Sequence, residues 1–133
     1  MPSERQWLDG AFCLYRLDVL EAQQLREDFF LYFEEVEYHV RLRSLGWKVG
    51  YVPSAVVSQS SLGTPAFYLG RNMQIYQRLW GTQAGRLFAS PTVLIREVGR
   101  VVLRRSTSFD IKGFLKGWVA GNQHDIGAVN LEK

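Results

Sequence analysis

The chain is poor in cysteine: Cys13 is its only one among 133 residues. A lone thiol excludes an intramolecular disulfide and any cysteine-based zinc site. Cys13 lies in an apolar run and reads as a buried thiol, because neither His39 nor His124 has a paired context that would activate it. No run approaches the ~20 apolar residues a membrane helix needs. The start, Met1-Pro2-Ser3-Glu4-Arg5, has no apolar segment of the signal-peptide kind, so a cytoplasmic location is expected. Phosphate-cradling glycine loops of either standard spacing are missing, as are nucleic-acid motifs, repeats and low-complexity segments. Nucleic acid is therefore not an expected partner.

Acid is scarce in one half only. Residues 1–66 hold six basic and nine acidic side chains, a net −3, whereas residues 67–133 hold ten and four, a net +6. The second half is biased towards phosphates, anionic lipid or an acidic partner. Hydrophobic content is 47% and aromatic content 14%. That is enough for one modest core and excludes a disordered chain.

The most informative stretch is Phe29-Phe30-Leu31-Tyr32-Phe33-Glu34-Glu35-Val36-Glu37, an aromatic block ending in three acids. The spacing predicts a helix over about 34–45, stopped by Gly46. On its wheel Val36 and Val40 lie on one side, with Tyr38, Leu42 and Leu45 nearly opposite. Glu37 and Arg41 share one polar face, Glu35 and His39 another. Acids in a first helical turn suit the macrodipole. The same acids beside an apolar wall are candidate bases. Glycosidase chemistry needs two carboxylates across a cleft, which sequence neighbours do not establish. Glu35 and His39 at i,i+4 supply only two of the ligands a metal needs.

Elsewhere, residues 7–16 read as a loop turning into a strand, with Gly10-Ala11 permitting close approach of another group. A short helix is expected over 18–24 with Asp18 as N-cap. A strand is expected over 47–53 and a second at 55–57. The second half reads as helical. One helix opens at Thr64-Pro65 and closes at Gly81. A second opens at Ser90-Pro91 and runs to about Arg105. A third runs over about 109–120 and is stopped by Gly121. Arg96, Arg100 and Arg104 recur every four residues and form one basic stripe. This is a solvated face or a contact for anions or a membrane surface. The tail from residue 122 is polar.

The order of these motifs resembles the C-terminal half of family 2 glycosyltransferases, in particular the rhamnosyltransferase-like branch. Trp7-Leu8-Asp9-Gly10-Ala11-Phe12-Cys13-Leu14-Tyr15-Arg16 is similar to the family's Gly-Ala-x-x-Leu-x-Arg strand. The aromatic–acid stretch is similar to its Phe-Phe-x-Tyr-x-Glu-Asp-x-Asp segment. Arg41-Leu42-Arg43-Ser44-Leu45-Gly46-Trp47 is similar to Arg-Leu-Arg-x-x-Gly-aromatic, and Tyr68-Leu69-Gly70-Arg71-Asn72 to Tyr-x-x-Arg-Asn. Tyr51-Val52-Pro53-Ser54-Ala55-Val56-Val57 and the run 112–121 continue it, so the resemblance spans about residues 7–121.

The resemblance implies an α/β fold of partial GT-A type, with a few short strands and flanking helices, then a helical second half. The segments would be an acceptor-side part over 1–62, a helical part over 63–121 and a tail over 122–133. It implies inverting sugar transfer from a nucleotide sugar to an acceptor hydroxyl, in cell-surface polysaccharide assembly. Glu35 would hold the general-base position, with Glu34, Glu37, Trp7, Asp9 and Tyr32 around the acceptor. Three departures qualify this. Glu35 stands where the family has Asp. Ser58-Gln59 stands where it often has a metal-binding His. The loop before the aromatics is Gln23-Gln24-Leu25-Arg26-Glu27 instead of Gly-x-Phe-Asp-Glu.

The family's nucleotide-binding half, with its Asp-x-Asp motif and the Mg or Mn ion it holds, is not among these residues. The expectation is a chain inactive alone, completed by a donor-domain partner. The alternative is a non-catalytic, self-associating module. The basic half would sit peripherally at the inner face of a membrane.

Overall fold

The computed structural model describes residues 2–60, 65–103 and 108–127. Two compact units divide the chain, Met1–Leu62 and Gly63–Gly127. Among the described residues the fold is mixed but mostly helical, with five helices and one two-stranded antiparallel sheet.

In the first unit, strand β1 (Ser3–Arg5) pairs with β2 (Val49–Tyr51), Ser3 opposite Tyr51 and Arg5 opposite Val49. Pairing β1 was not legible, since Ser3-Glu4-Arg5 has no strand pattern. It is held from outside its own sequence: Arg43 donates through Nη1 to the Arg5 carbonyl at 2.7 Å and to Glu4 Oε1 at 3.2 Å. The strand expected after Gly10-Ala11 within residues 7–16 and the one expected at 55–57 do not form. Leu14 and Val56 are each 87% exposed, so neither run has a sheet to join, and a strand without a ladder has no backbone partners.

Helix α1 (Leu17–Ala22) begins at Arg16 rather than Asp18; Asp18 sits in its first turn and pairs with Arg16 at 2.6 Å. Helix α2 (Glu34–Ser44) is the spine of the unit. It ends as the glycine predicts. Gly46 adopts φ 87°, its amide bonds the Arg43 carbonyl at 2.9 Å, and the Trp47 amide reaches back to Leu42 at 3.0 Å. That paired closure satisfies carbonyls the helix would otherwise leave open. Tyr38 and Leu42 pack with Val19 in a small core flanked by Tyr15 and Leu20. The Tyr15 and Tyr38 rings meet edge-on at 5.1 Å.

The second unit is three helices, α3 (Ala66–Trp80), α4 (Gln83–Val102) and α5 (Ile111–Gln123). Helix α3 closes at Gly81 as expected, but its N-cap is Pro65, which was expected one position inside the helix; Thr64, the expected N-cap, lies outside the described residues. Pro91 does not open a helix; it lies inside α4, which starts instead at Thr82, whose hydroxyl accepts from the Gly85 amide at 3.1 Å. The carbonyl that Pro91 leaves without a helix partner is that of Leu87, on an exposed turn where water can replace the bond. Nor does Gly121 stop α5. The three glycines Gly113, Gly117 and Gly121 recur every fourth residue, and two of them face α3. A Cβ on Gly117 would stand 2.0 Å from the Phe67 carbonyl oxygen and one on Gly121 2.4 Å from that of Arg71. Small residues at this spacing let two helix backbones touch.

A polar line crosses the three helices. Ser90 donates to Gln74 Oε1 at 3.3 Å, and Gln74 donates to Asn122 Oδ1 at 3.0 Å. Two arginines close helix ends. Arg78 donates to the carbonyls of Gly121 and His124, and Arg86 to those of Gln77 and Arg78. Part of the positive charge of this half therefore answers the partial negative charge of helix C-termini.

Candidate functional site

The site is built where the loop 7–13 lies along α2. His39 joins them. Its Nδ1 accepts the Leu8 amide at 3.2 Å, and its Nε2 lies 3.1 Å from the Tyr15 hydroxyl. An acceptor at Nδ1 fixes the neutral tautomer with the proton on Nε2, donated to Tyr15. Burial lowers the His39 pKa in the same direction and raises that of Tyr15, where Cys13 adds to the effect. With both nitrogens engaged, His39 is a structural latch and does not pair with Glu35 as a metal ligand. Cys13 is half-buried rather than buried, its thiol 3.5 Å from the Asp9 carbonyl.

This latch lays the Asp9-Gly10 turn against the first turn of α2. Gly10 meets the Glu35 side chain: a Cβ there would stand 3.2 Å from Cγ and 3.3 Å from Cδ. The Glu35 pKa is raised, first by burial and then by the charges of Glu34 and Asp9; the amides of Glu35 itself and of Gly10 act in the opposite direction. One carboxylate oxygen, Oε2, is buried with no hydrogen-bond partner among the described residues, and the same holds for Oε2 of Glu34. Glu35 thus lies beside the backbone amides of Gly10 and of its own residue, with one carboxylate oxygen buried and unsatisfied. That arrangement suits a general base.

The turn that delivers these acids is strained. Tyr32 and Phe33 have φ 66° and 72°, and Phe33 caps α2 with no side-chain hydrogen bond. Two bulky residues in the left-handed region are uncommon and carry a cost of about 1–3 kcal/mol each.

Of the residues singled out from sequence, Glu35, Glu34, Asp9 and Tyr32 gather around this turn. Asp9 is exposed, with Oδ1 accepting the Ala11 amide at 3.2 Å. Trp7, 50% exposed, enters from the latched loop. Glu37 does not belong with them. It is 0% exposed and faces Arg41, whose Nε lies 3.1 Å from Oε1. Arg41 also donates to Gln23 Oε1 at 3.0 Å and to the Gln24 carbonyl at 2.8 Å. Glu37 is a tie between α2 and the end of α1, not an acceptor contact or a surface pair. Glu35 has a different fate because, two residues earlier in the helix, it points about 200° away.

Two signals were underused in the sequence. Gly10 was visible as a point of close approach, though not that Glu35 would approach it. His39 was visible only as a ligand candidate.

The basic stripe belongs to the second unit. Arg96 and Arg100 both pair with Glu97, at 2.9 and 3.2 Å, and Arg104 falls outside the described residues. Among the described residues no group of three or more His, Cys, Asp or Glu could hold a metal ion. A depression of about 60 Å³ opens between α1 and the end of α2, lined by Asp18, Val19, Ala22, Gln23, Leu45 and Trp47. It is far smaller than a typical ligand pocket of ~300 Å³ or more and does not include Glu35. No protein-family model matches this chain, and no curated protein or solved structure matches it.

Proposed function

We propose that the first unit carries the acceptor side of an inverting, family 2-type glycosyltransferase site, with Glu35 as general base. The state of its carboxylate carries this reading: half-buried, raised in pKa by that burial, and with one buried oxygen that has no hydrogen-bond partner among the described residues. In the transfer, an acceptor hydroxyl gives its proton to Glu35 as its oxygen bonds to the anomeric carbon. The bond from that carbon to the nucleoside diphosphate breaks, its electron pair leaves with the phosphate oxygen, and the configuration inverts. Trp7 offers a ring face for stacking, and Asp9 and Glu34 offer carboxylates to neighbouring hydroxyls. Gly10 bears on the one departure at the base position. Glutamate is a methylene longer than aspartate, and the absent side chain at Gly10 gives that length room.

No Asp-x-Asp occurs among the 133 residues, so binding of the nucleotide sugar and its cation is assigned to a donor half outside them. By itself the chain binds acceptor and transfers nothing. Titration with rhamnose-, glucose- and galactose-containing oligosaccharides, followed by amide NMR, tests this. Shifts confined to Trp7, Asp9, Gly10 and residues 32–36, and weakened by Trp7→Ala, are expected, with no response to nucleotide sugar. A chain silent to every oligosaccharide, or one that transfers sugar unaided, overturns the reading.

One observation favours a second reading, an association module. Phe12, Leu14, Leu17 and Phe30 are 58–87% exposed on the same unit. Sedimentation that finds dimers, dissociated by Leu14→Ser and Phe30→Ser, supports it; a monomer at high concentration removes it.

A further inference from the structure

Helix α4 shows solvent an apolar face that the second unit leaves uncovered. Leu87, Ile95 and Val102 are 70–74% exposed, with Pro91 and Val98 between them at the helical spacing of one face. Phe88, 65% exposed, widens that face. Helix α5 repeats the pattern. Ile111, Leu115, Trp118 and Val119 are 38–46% exposed, opposite the glycines that meet α3, and Lys112 and Lys116 stand at the edge of that arc.

We propose that this face of α4, seconded by that of α5, lies on an anionic lipid surface, independently of the Glu35 site. Charge selects the occupant. Residues 83–123 hold seven basic side chains and two acidic ones, Glu97 and Asp110. Glu97 is buried to 8% exposure and held by Arg96 and Arg100, while Asp110 is occupied in capping α5 through the Gly113 amide at 2.8 Å. The charge left at the edge of an apolar arc is that of Lys112 and Lys116, and it is positive. Two copies of the chain meeting there would bring like charges together, whereas an anionic bilayer meets both the apolar arc and the cations. Among the described residues no helix is long and apolar enough to cross a membrane, so the contact is one that lies along the surface. Arg96 and Arg100 fall on the side of α4 opposite its apolar face, so that face makes the contact and Lys112 and Lys116 of α5 supply the cations beside it.

The test is co-sedimentation with phosphatidylcholine vesicles and with vesicles containing phosphatidylglycerol. The intact chain is expected to bind the anionic vesicles at least about tenfold better than the neutral ones, and less as salt rises. Leu87→Gln, Ile95→Gln and Val102→Gln together, at positions exposed enough to leave the fold intact by circular dichroism, should weaken that binding at least about tenfold. Lys112→Gln with Lys116→Gln should weaken it less, and only on anionic vesicles. Equal binding to both vesicles, or none, overturns the proposal. So does self-association that the triple variant abolishes, which would assign the face to a second copy.

Discussion

Gly10 and Glu35 are in contact across 25 positions of sequence, with no space between them for a Cβ looser than 3.2 Å from Glu35 Cγ. The contact is with a flexible side chain, so Gly10→Ala should displace the carboxylate and leave the fold standing, at a cost within about 1 kcal/mol. Moving the carboxylate away from the Gly10 amide removes one of the influences that lower its pKa. The Glu35 titration, followed by carboxyl carbon NMR, should therefore shift further upward in Gly10→Ala, and oligosaccharide binding should fall.

Glu35 itself should cost the fold stability at neutral pH. Its folded pKa lies above its ordinary value, so between the two the native state holds more protons than the unfolded one. Stability then falls as pH rises through that window and is regained as pH falls towards the ordinary carboxylate range. Glu35→Gln should consequently unfold at a higher temperature than the parent at pH 7 and at nearly the same temperature near pH 4. Thermal scans over that range check this. A stabilising loss of a charged residue also separates a functional acid from one that merely suits a helix start.

His39 works in the opposite direction. Its folded pKa is depressed, so the unfolded chain takes up a proton first as pH falls through the ordinary histidine range of ~6.5. Stability should decline there by at most about 1.4 kcal/mol per pH unit for one proton. A protonated ring cannot accept the Leu8 amide, so hydrogen exchange at Leu8 should quicken over the same range. Ring-proton NMR should show His39 titrating below the ordinary histidine value.

Helices were legible where the signal is local. The period of α2 and its Gly46 stop, and the Pro65 and Gly81 ends of α3, lie within a few residues of what they control. The misreadings share a non-local cause. Residues 12–16 and 55–57 have the composition of strands but no neighbouring strand. Gly121 has the look of a stop but is shaped by a carbonyl on another helix. Glu35 and Glu37 are both first-turn acids in sequence. Only the loop at Gly10 and the guanidinium of Arg41 leave one with a buried, unsatisfied oxygen and give the other a buried partner. The left-handed pair Tyr32-Phe33 could not be read at all, because the residue types argue against it.

The Glu37–Arg41 pair should behave as a buried ion pair. Arg41→Met leaves a carboxylate without its cation inside the unit and should cost about 3–5 kcal/mol. Adding Glu37→Leu removes the stranded charge and should recover part of the loss. Recovery stays incomplete because Gln23 and the Gln24 carbonyl also lose an Arg41 donor, at about 1 kcal/mol each. Urea unfolding of the single and double variants gives the comparison. A double variant no more stable than Arg41→Met would mean that Arg41 acts through the Gln23 and Gln24 contacts instead.

Two glycines in the second unit make a controlled pair. At Gly117 a Cβ would fall 2.0 Å from the Phe67 carbonyl oxygen and 3.0 Å from the Arg71 amide nitrogen, both backbone atoms of α3. Neither can rotate aside, so Gly117→Ala must push α5 off α3, and a loss of about 2–3 kcal/mol is expected. Gly99 lies in α4 with nothing within 4 Å of the same position. There alanine adds only helix propensity, a gain of about 0.5–1 kcal/mol. Opposite shifts in unfolding temperature from one substitution type would show that helix contact, not glycine content, limits this unit. If both variants moved the same way, the close packing of α3 on α5 would not be what holds it together.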